Sequence, residues 1–269
     1  MGWHAGELAV RERAGVTPAV GEPADELPEV ARRFLAEQPW FVVGATDHDG
    51  RMWASVRYGT IDTPDAQTVR VLADPLPGDP LPTIAGLVGG LALEPATRRR
   101  MRVNGYATSL DRGFEILVDG VYSNCPKYIA TRHAEPRTPA AARIEHRLDA
   151  KLLGAADTAF VATRGPDGAD VSHRGGRPGF LTVEGDTVRW PDYQGNALFN
   201  TLGNLAVDPA CGLTVVDPDD GTTLYLSGQA RIVWEPRRAV ELQVERAVRL
   251  DAAAPLRWRL ERPARNPPL

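Results

Sequence analysis

The stretch Asp170–Pro209 reads DVSHRGGRPGFLTVEGDTVRWPDYQGNALFNTLGNLAVDP. Its last nine residues, TLGNLAVDP at 201–209, resemble LVGGLALEP at 87–95 at a shift of 114 residues. Because self-similarity within one chain is the signature of repeated structural units, this pair predicts that the chain contains two copies of one unit. We expect each of the two nonapeptides to form a short helix.

Two further pairs of segments support the repeat. Residues 55–57, SVR, match 172–174, SHR, at a shift of 117, and each triplet follows an Asp-Gly turn. Asn104–Ala107, NGYA, matches Ser227–Ala230, SGQA, at a shift of 123. Small insertions between the segments explain the differences between these shifts. Chance similarity between Gly- and Ala-rich segments is the alternative explanation.

The order of secondary-structure elements also repeats. Apolar residues at helical spacing predict a helix at Asp25–Glu37, with Asp25 as its N-cap, and a β-run at Trp40–Thr46 follows it. A second helix is predicted at Pro139–Leu153, and a second β-run follows at Thr158–Thr163. The two halves of the chain therefore begin in the same way.

The repeat divides the chain into unit one at 25–136 and unit two at 137–262, between an N-terminal extension at 1–24 and a tail at 263–269. The first helix-to-strand junction, Phe41 against Phe160, gives a shift of 119. Strands separated by Asp-Gly, Pro-Asp and Gly-Asp turns, with few long helices, favour a small barrel or sandwich in each unit. The predicted fold is mainly β (α+β): two tandem antiparallel barrels with peripheral helices.

Composition and charge exclude several classes of protein. The 269 residues carry a net charge of -4, which argues against a protein held electrostatically on nucleic acid or on an anionic membrane. The longest uncharged apolar stretch, Ile84–Leu93, is far shorter than the roughly 20 residues of a membrane helix. The N-terminus lacks the apolar core of a signal peptide, so we expect a cytoplasmic protein with Cys125 and Cys211 as free thiols. The histidines have no spacing typical of metal ligands, so no metal site is predicted.

The stretch that begins at Asp170 contains the candidate site. Ser172 and Arg174 lie two residues apart, so on a strand they share a face, and a hydroxyl beside a guanidinium suits an anionic group. Polar residues also recur on one face of the predicted following helix, close to its N-terminus, where unpaired N–H groups favour a phosphate. These residues are Asn196, Asn200, Thr201 and Asn204.

A structural role for the same residues is the alternative. Asn196 could cap the helix, and Arg174 could form a surface ion pair worth less than about 1 kcal/mol. The repeat offers an internal control, because the shift of 114 matches Asn200 with Gly86 and Asn204 with Gly90. Unit one would then keep the helix without its polar face. We therefore expect the principal anion site in unit two and a degenerate site in unit one.

At this point the chain resembles the pyridoxamine 5'-phosphate oxidase-like family of FMN-binding split-barrel flavoproteins, in a duplicated and uncharacterised branch. The resemblance extends over most of the chain. It is carried by HAGELAVRERAG at 4–15, NCPKYI at 124–129, SHRGGRPGF at 172–180, PDYQGNALFNTLGNL at 191–205 and PLRW at 255–258.

The resemblance implies that FMN lies in a cleft between two barrels, which here would be the two halves of one chain. By position in the family's motifs, the cofactor-binding residues would be Ser172, His173 and Arg174 beside the flavin, Tyr193, Asn196, Asn200, Thr201 and Asn204 around the ribityl phosphate, and Lys127 from unit one. The sequence departs from the family where the oxidases carry an Arg-Lys pair for phosphate, since Gly195-Asn196 stands there. This departure argues against vitamin B6 oxidase activity.

The leading hypothesis is an FMN-dependent oxidoreductase that transfers a hydride between flavin N5 and a small organic substrate. No catalytic residue is assigned, and reducing equivalents would come from a separate reductase, a diffusing nicotinamide or the substrate. The alternatives are a non-catalytic flavin- or haem-binding protein, with His173 or His133 as axial ligand, and an interaction protein with empty barrels. A monomer is expected because both barrels lie in one chain, although a homodimer remains open.

Overall fold

Two antiparallel sheets connected in the same order form the frame of the protein. The computed structural model describes residues 3–16, 23–123, 125–140, 143–195 and 198–265. The strands of the first half are β1 Trp40–Thr46, β2 Met52–Tyr58, β3 Thr60–Asp62, β4 Thr68–Leu72, β5 Gly86–Glu94, β6 Arg99–Ser109, β7 Phe114–Ser123 and β8 Thr131–Pro136. Those of the second half are β9 Ile144–Glu145, β10 Thr158–Gly165, β11 Gly168–Gly175, β12 Thr182–Glu184, β13 Thr187–Pro191, β14 Ala210–Val216, β15 Thr223–Val233, β16 Ala239–Leu250 and β17 Leu256–Arg262. The described helices are α1 Ala5–Ala14, α2 Glu29–Ala36, α3 Ala150–Ala155 and α4 Asn200–Leu205.

The strand order confirms the internal duplication. The first sheet runs β2-β1-β5-β6-β7-β4-β3, and the second runs β11-β10-β14-β15-β16-β13-β12, so each strand has a counterpart at the same place. The second sheet carries β9 beside β16 as an addition. The fold is therefore the predicted pair of tandem split barrels, while the unit boundaries at 25, 137 and 263 stay predictions.

Strand pairing confirms two of the local matches. Ser55 lies opposite Val43 in the first sheet, and Ser172 lies opposite Val161 in the second, so β2 and β11 correspond at the predicted shift of 117. Both β6 and β15 are bulged at the predicted match, between Asn104 and Gly105 and between Ser227 and Gly228. A bulge at the same register position in both halves is a structural signature of the repeat.

The match of Phe41 with Phe160 is wrong by one residue. Phe41 packs in the core of unit one, whereas Phe160 packs in the cluster between the halves. Because successive side chains on a strand point to opposite faces, the counterpart of Phe41 is Ala159, which lies in the core of unit two. Two aromatic residues at similar positions therefore face in different directions.

The match between the two nonapeptides is also wrong. Residues 201–209 supply most of α4 and its exit, as predicted, but residues 87–95 lie in strand β5, whose counterpart is β14. Glycines explain the extended form: a Cβ on Gly89 would lie 2.5 Å from the backbone of Asp170, and one on Gly90 would lie 2.4 Å from the ring of Phe41. Gly89 therefore allows β5 to pack closely against unit two, and Gly90 makes room for Phe41 in the core of unit one. A short apolar run does not by itself distinguish a strand from a buried helix.

Both predicted long helices are shorter than expected. The first begins at Glu29 rather than Asp25, and Pro28 occupies the N-cap position that Asp25 was expected to fill. Proline lacks the N–H that a helix interior requires, and it disfavours helical geometry at the residue before it. The second helix covers only Ala150–Ala155, with Asp149 as its N-cap. The chain before it forms strand β9, so the prediction of a helix from Pro139 is wrong.

Strands β1 and β10 carry nearly unbroken apolar runs because both of their faces are covered. Phe41 and Val43 enter the core of unit one, while Trp40 and Val42 enter the cluster between the halves. That cluster holds the two sheets face to face; its buried members are Trp40, Val42, Met52, Ala54, Val56, Leu91, Leu93, Ile129, Phe160, Ala162, Ala169, Val171, Ala210 and Trp258. Strand β8 of the first half pairs with β17 near the end of the second. No helix among the described residues is long and apolar enough to cross a lipid bilayer.

Candidate functional site

A cleft of about 540 Å³ opens where strands of the first half meet β11 and α4 of the second. Its volume lies within the range of roughly 300–1,000 Å³ that is typical of small-molecule sites. The cationic side chains that line it are Arg100, Arg102, Lys127, Arg174, Arg237 and Arg238, and Asp192 is the one carboxylate among its described lining residues. Such an excess of positive charge favours an anionic ligand.

Strand β11 supplies the wall of the cleft from unit two. Ser172 and Arg174 both line it, as their spacing predicts. The Ser172 hydroxyl lies 3.0 Å from that of Thr201 on α4. Arg174 donates from Nη1 to Asp192 over 2.9 Å, and Asp192 also accepts from Arg238 over 2.7 Å. Two guanidinium groups therefore share one carboxylate, and the buried Nε of Arg174 has no hydrogen-bond partner among the described residues.

His173 lies between these two residues and is kept neutral. The guanidinium of Arg100 lies 3.1 Å from its Nδ1. Because an arginine can only donate, Nδ1 accepts and the ring proton is on Nε2. Burial holds the pKa of His173 well below its usual value, and the charges of Arg100 and Arg174 lower it further. Nε2 is buried without a hydrogen-bond partner in the described part of the chain.

Arg100 reaches the cleft from strand β6 of unit one. It donates to His173 and to the carbonyl of Cys125, and it makes no ion pair with a carboxylate of the described residues. Burial, together with the charges of Arg102 and Arg174, lowers its pKa to about 9. The side chain is still charged near neutral pH. An anion in the cleft would offset this unfavourable burial of charge.

Arg102 is the second cation on β6, and it is paired. Its Nη1 donates to Asp170 on β11 over 2.9 Å and to Asn200 on α4 over 3.1 Å. Asp170 also accepts from Tyr122 and Asn104 of unit one. This network joins the two halves beside the cleft, and Arg102, Asn104 and Asp170 within it are buried.

The predicted polar face of α4 is divided between two environments. Asn200 and Thr201 line the cleft, but Asn204 does not. Asn204 is buried against α1, where it lies 2.9 Å from Nε2 of His4 and donates to Thr163 over 3.1 Å. Asn196 lies outside the described residues.

Two tyrosines close one side of the cleft. The rings of Tyr193 and Tyr128 lie 5.2 Å apart, and the Tyr128 hydroxyl donates to the carbonyl of Gln194 over 2.8 Å. Burial raises the pKa of both side chains, so they are neutral phenols. Lys127 stands beside them, exposed at the edge of the cleft.

The structure thus brings together seven of the nine residues predicted for the cofactor site: Ser172, His173, Arg174, Tyr193, Asn200, Thr201 and Lys127. Sequence reasoning missed the arginines of unit one. Arg100 and Arg102 alternate along one strand in RRMRV, which places them on one face, but the partner of that face lies in the other half of the chain. It also missed Arg237 and Arg238. No group of three or more His, Cys, Asp or Glu side chains in the described ranges could hold a metal ion.

Comparison with known families gives one match. A family model described as pyridoxamine 5'-phosphate oxidase matches residues 145–268. The match covers unit two from residue 145 onward, including the wall of the cleft formed by β11 and α4. It confirms for that half the family resemblance predicted from the sequence. No curated protein sequence matches the chain.

Solved structures with similar folds each align with part of the chain. HupZ of Group A Streptococcus is 19% identical, with a TM-score of 0.31 over 39% of this chain and 94% of its own. The FAD-binding protein of Mycobacterium smegmatis is 17% identical, with a TM-score of 0.31 over 41% of this chain and 97% of its own. A putative pyridoxamine 5'-phosphate oxidase of Corynebacterium glutamicum is 12% identical, with a TM-score of 0.31 over 41% of this chain and 95% of its own.

Proposed function

Because residues 145–268 match the family model described as pyridoxamine 5'-phosphate oxidase, we propose that the cleft between the two halves of the chain holds FMN. We propose further that the protein is an oxidoreductase that uses this flavin to transfer a hydride to or from a small organic substrate. The observation that carries the proposal is a cleft of about 540 Å³ in which six cationic side chains face one carboxylate.

The residues present fit the chemistry of a phosphorylated, planar cofactor. The phosphate needs charged donors, and Arg174 offers an Nε without a partner while it shares Asp192 with Arg238. The carbonyl-rich edge of an isoalloxazine ring needs donors of hydrogen bonds, and the Nε2–H of His173 and the Nε–H of Arg100 are both buried and free of partners in the described residues. Tyr193 and Tyr128 add aromatic surface. The donor set therefore suits both ends of FMN.

When bound, the flavin would supply the redox chemistry at N5. The chain's own residues bind and orient it, and the positive charge of Arg100 favours negative charge on any group that lies against it. Since both walls of the cleft come from one polypeptide, a monomer would suffice to form the site. The electron donor would be a diffusing nicotinamide or a separate reductase.

A haem-binding role is less well supported by the same geometry. A ligating histidine must present an unprotonated nitrogen to the metal, but Arg100 fixes the His173 tautomer with its proton on the free Nε2. His133 is no substitute, because it pairs with Glu261 over 2.8 Å on the β8–β17 ribbon and does not line the cleft.

Absorbance after incubation with FMN tests the proposal. The purified chain, mixed with excess FMN and desalted, should retain the two bands of an oxidised flavin, and a Soret band in the protein as isolated would indicate haem instead. Arg174→Ala should weaken FMN binding by about 10- to 100-fold, because a hydrogen bond to a charged group is worth about 1.5–3 kcal/mol.

The matched control is Arg231→Ala, which removes an exposed arginine that pairs with Glu241 on the second sheet, away from the cleft. It should leave FMN affinity unchanged. A wild-type chain that retains no flavin, or equal losses of affinity in both variants, would contradict the proposal.

A further inference from the structure

The N-terminal motif HAGELAVRERAG forms a helix whose polar side chains engage the site helix α4. His4 and Glu7 form a capping box at the start of α1, in which the His4 N–H donates to Glu7 over 3.1 Å. The same two side chains continue onto α4: Nε2 of His4 lies 2.9 Å from Asn204, and Glu7 accepts from Asn200 over 2.8 Å. The polar face of α4 is therefore bound by the N-terminal helix.

The backbones of the two helices are also in direct contact. A Cβ added to Gly6 would lie 2.3 Å from the carbonyl oxygen of Gly203, and one added to Gly203 would lie 2.3 Å from Cγ of Glu7. Val10, on the apolar side of α1, is buried in the core of unit two. This packing leaves little freedom for Glu7, which is only 4% exposed.

A chain of hydrogen bonds connects Glu7 to the cleft. Asn200 donates from Nδ2 to Glu7 and accepts at Oδ1 from Arg102 over 3.1 Å, so its amide bridges the two. Asn200 and Arg102 both line the cleft. Glu7 thus holds one side of a polar network whose other side is the Arg102–Asp170 pair between the halves.

The end of α1 also reaches the cleft. Arg11 donates to the carbonyl of Leu198 over 2.9 Å, next to the left-handed residue Phe199 that precedes α4. Ala14 and Val16 then line the cleft beside residues of β11 and α4. The helix therefore contributes wall as well as hydrogen bonds.

We propose that Glu7 is a positioning residue for the cofactor site: through Asn200 it orients Arg102, and docking of α1 is thereby coupled to occupancy of the cleft. The proposal rests on the proposed function where FMN is the probe. Coupling of this kind is reciprocal, so a ligand in the cleft must also stabilise the docked helix. If α1 only covered apolar surface, breaking the hydrogen bond between Glu7 and Asn200 would not change how a ligand in the cleft affects the docking of α1.

Hydrogen exchange of the α1 amides, with and without FMN, tests the coupling. In the wild-type chain FMN should slow exchange by about 5-fold or more, the lower bound of typical allosteric coupling. Glu7→Leu removes the acceptor for Asn200 and should abolish the slowing, whereas Glu7→Gln keeps an acceptor oxygen and should preserve it. Glu12→Gln, at an exposed position of the same helix, is the control.

A ligand-free measurement separates this inference from the proposed function. Labelling of Arg102 by phenylglyoxal, read by mass spectrometry, should be several-fold faster in Glu7→Leu than in wild type, Glu7→Gln or Glu12→Gln. Should Glu7→Leu fail to fold, Asn200→Ala breaks the same link at a half-buried position. A failure of FMN binding alone would overturn only the proposed function. Equal labelling in all variants, or bound FMN with unchanged exchange in α1, would overturn the coupling.

Discussion

Equivalent strands carry a buried serine and an arginine in both units, but the arginine is enclosed in unit one and lines an open cleft in unit two. In unit one, Ser55 donates to Asp79 over 2.6 Å and Arg57 donates to the carbonyl of Leu81. Arg57 is only 2% exposed. In unit two the counterparts of Ser55 and Arg57 are Ser172 and Arg174, and both line the cleft. The two strands and their Ser and Arg residues are therefore retained in both units, but only in unit two do these residues line a cleft.

The connections that follow the equivalent strands β4 and β13 account for this difference. In unit one, residues 73–85 contain no helix and bring the Asp79 carboxyl group beside Ser55, where it also accepts from the Leu81 N–H over 2.8 Å. In unit two, residues 192–209 are longer, contain α4 and leave the cleft open. A carboxylate of the chain thus occupies in unit one the kind of environment that unit two offers to a ligand.

Strands β6 and β15, each of which faces the site of the other unit, differ as well. Register places Thr223 and Tyr225 of β15 where unit one has Arg100 and Arg102 on β6. Tyr225 lies 3.3 Å from Asp79 and closes the site of unit one. Each half therefore faces its partner with different chemistry: unit one contributes cations to the cleft of unit two and receives neutral hydroxyls in return.

Arg57→Ala should give the largest effect on stability. Burial raises the pKa of the Asp79 carboxyl, and the positive charge of Arg57 opposes this rise, so its removal should raise that pKa further. The variant also leaves the carbonyl of Leu81 without its buried donor, and a buried group left without its hydrogen-bond partner costs about 1–3 kcal/mol. Denaturant unfolding should therefore show a loss of that size.

At denaturant concentrations below its unfolding midpoint, where it is folded, Arg57→Ala should bind FMN with wild-type affinity. Arg174→Ala should instead keep wild-type stability and lose FMN affinity. A loss of FMN affinity in Arg57→Ala that matches the loss in Arg174→Ala would mean that the site of unit one also takes part in binding.

Sequence alone predicted the features whose causes are local. The pairing of 55–57 with 172–174 and the two bulges follow from strand alternation and from glycine at a bulge, so both matches hold in the structure. The nonapeptide match failed because an apolar run with glycines fits a helix or a buried strand equally well. What decides between them at Gly89 is the backbone of Asp170, which lies in the other half.

The candidate site shows the same limit. Ser172 and Arg174 were found because their shared face depends only on spacing along one strand. Asn204 was assigned to the phosphate, yet its partner is His4, distant in sequence and brought close only by folding. Arg100 was missed for the same reason, since its place beside His173 depends on how the two sheets face each other.

Arg100→Thr replaces Arg100 with the residue type of its counterpart in unit two, Thr223. We expect its effects on FMN affinity and on stability to be intermediate. Removing one charged donor from the cleft should weaken FMN binding by about 10-fold, or about 1.4 kcal/mol. It also removes one of the two charges that lower the pKa of His173, which should therefore rise while burial still holds it below normal.

The sign of the pH effect follows from that shift. In the wild type, His173 stays neutral while the unfolded chain binds a proton, so stability is lost as the pH falls through about 6.5 towards the depressed pKa. A smaller depression in Arg100→Thr makes this loss smaller, which unfolding at about pH 7 and about pH 5 would measure. An unchanged or larger loss would mean that Arg100 does not act on His173.

The smallest effect is expected on the outer face of the first sheet, where the units differ without consequence for the cleft. Leu87, Tyr106 and Leu117 lie opposite one another on β5, β6 and β7 and are exposed, and register matches Tyr106 with Gln229 of unit two. Tyr106→Gln removes cross-strand contacts worth a few tenths of a kcal/mol, so stability should fall by about 0.5 kcal/mol or less and FMN affinity should not change.

A loss of stability above about 2 kcal/mol would show that a second copy of the chain buries this apolar row in solution, because an exposed side chain has no contacts of that size to lose. Concentration-dependent light scattering would then separate association from a local effect on the sheet.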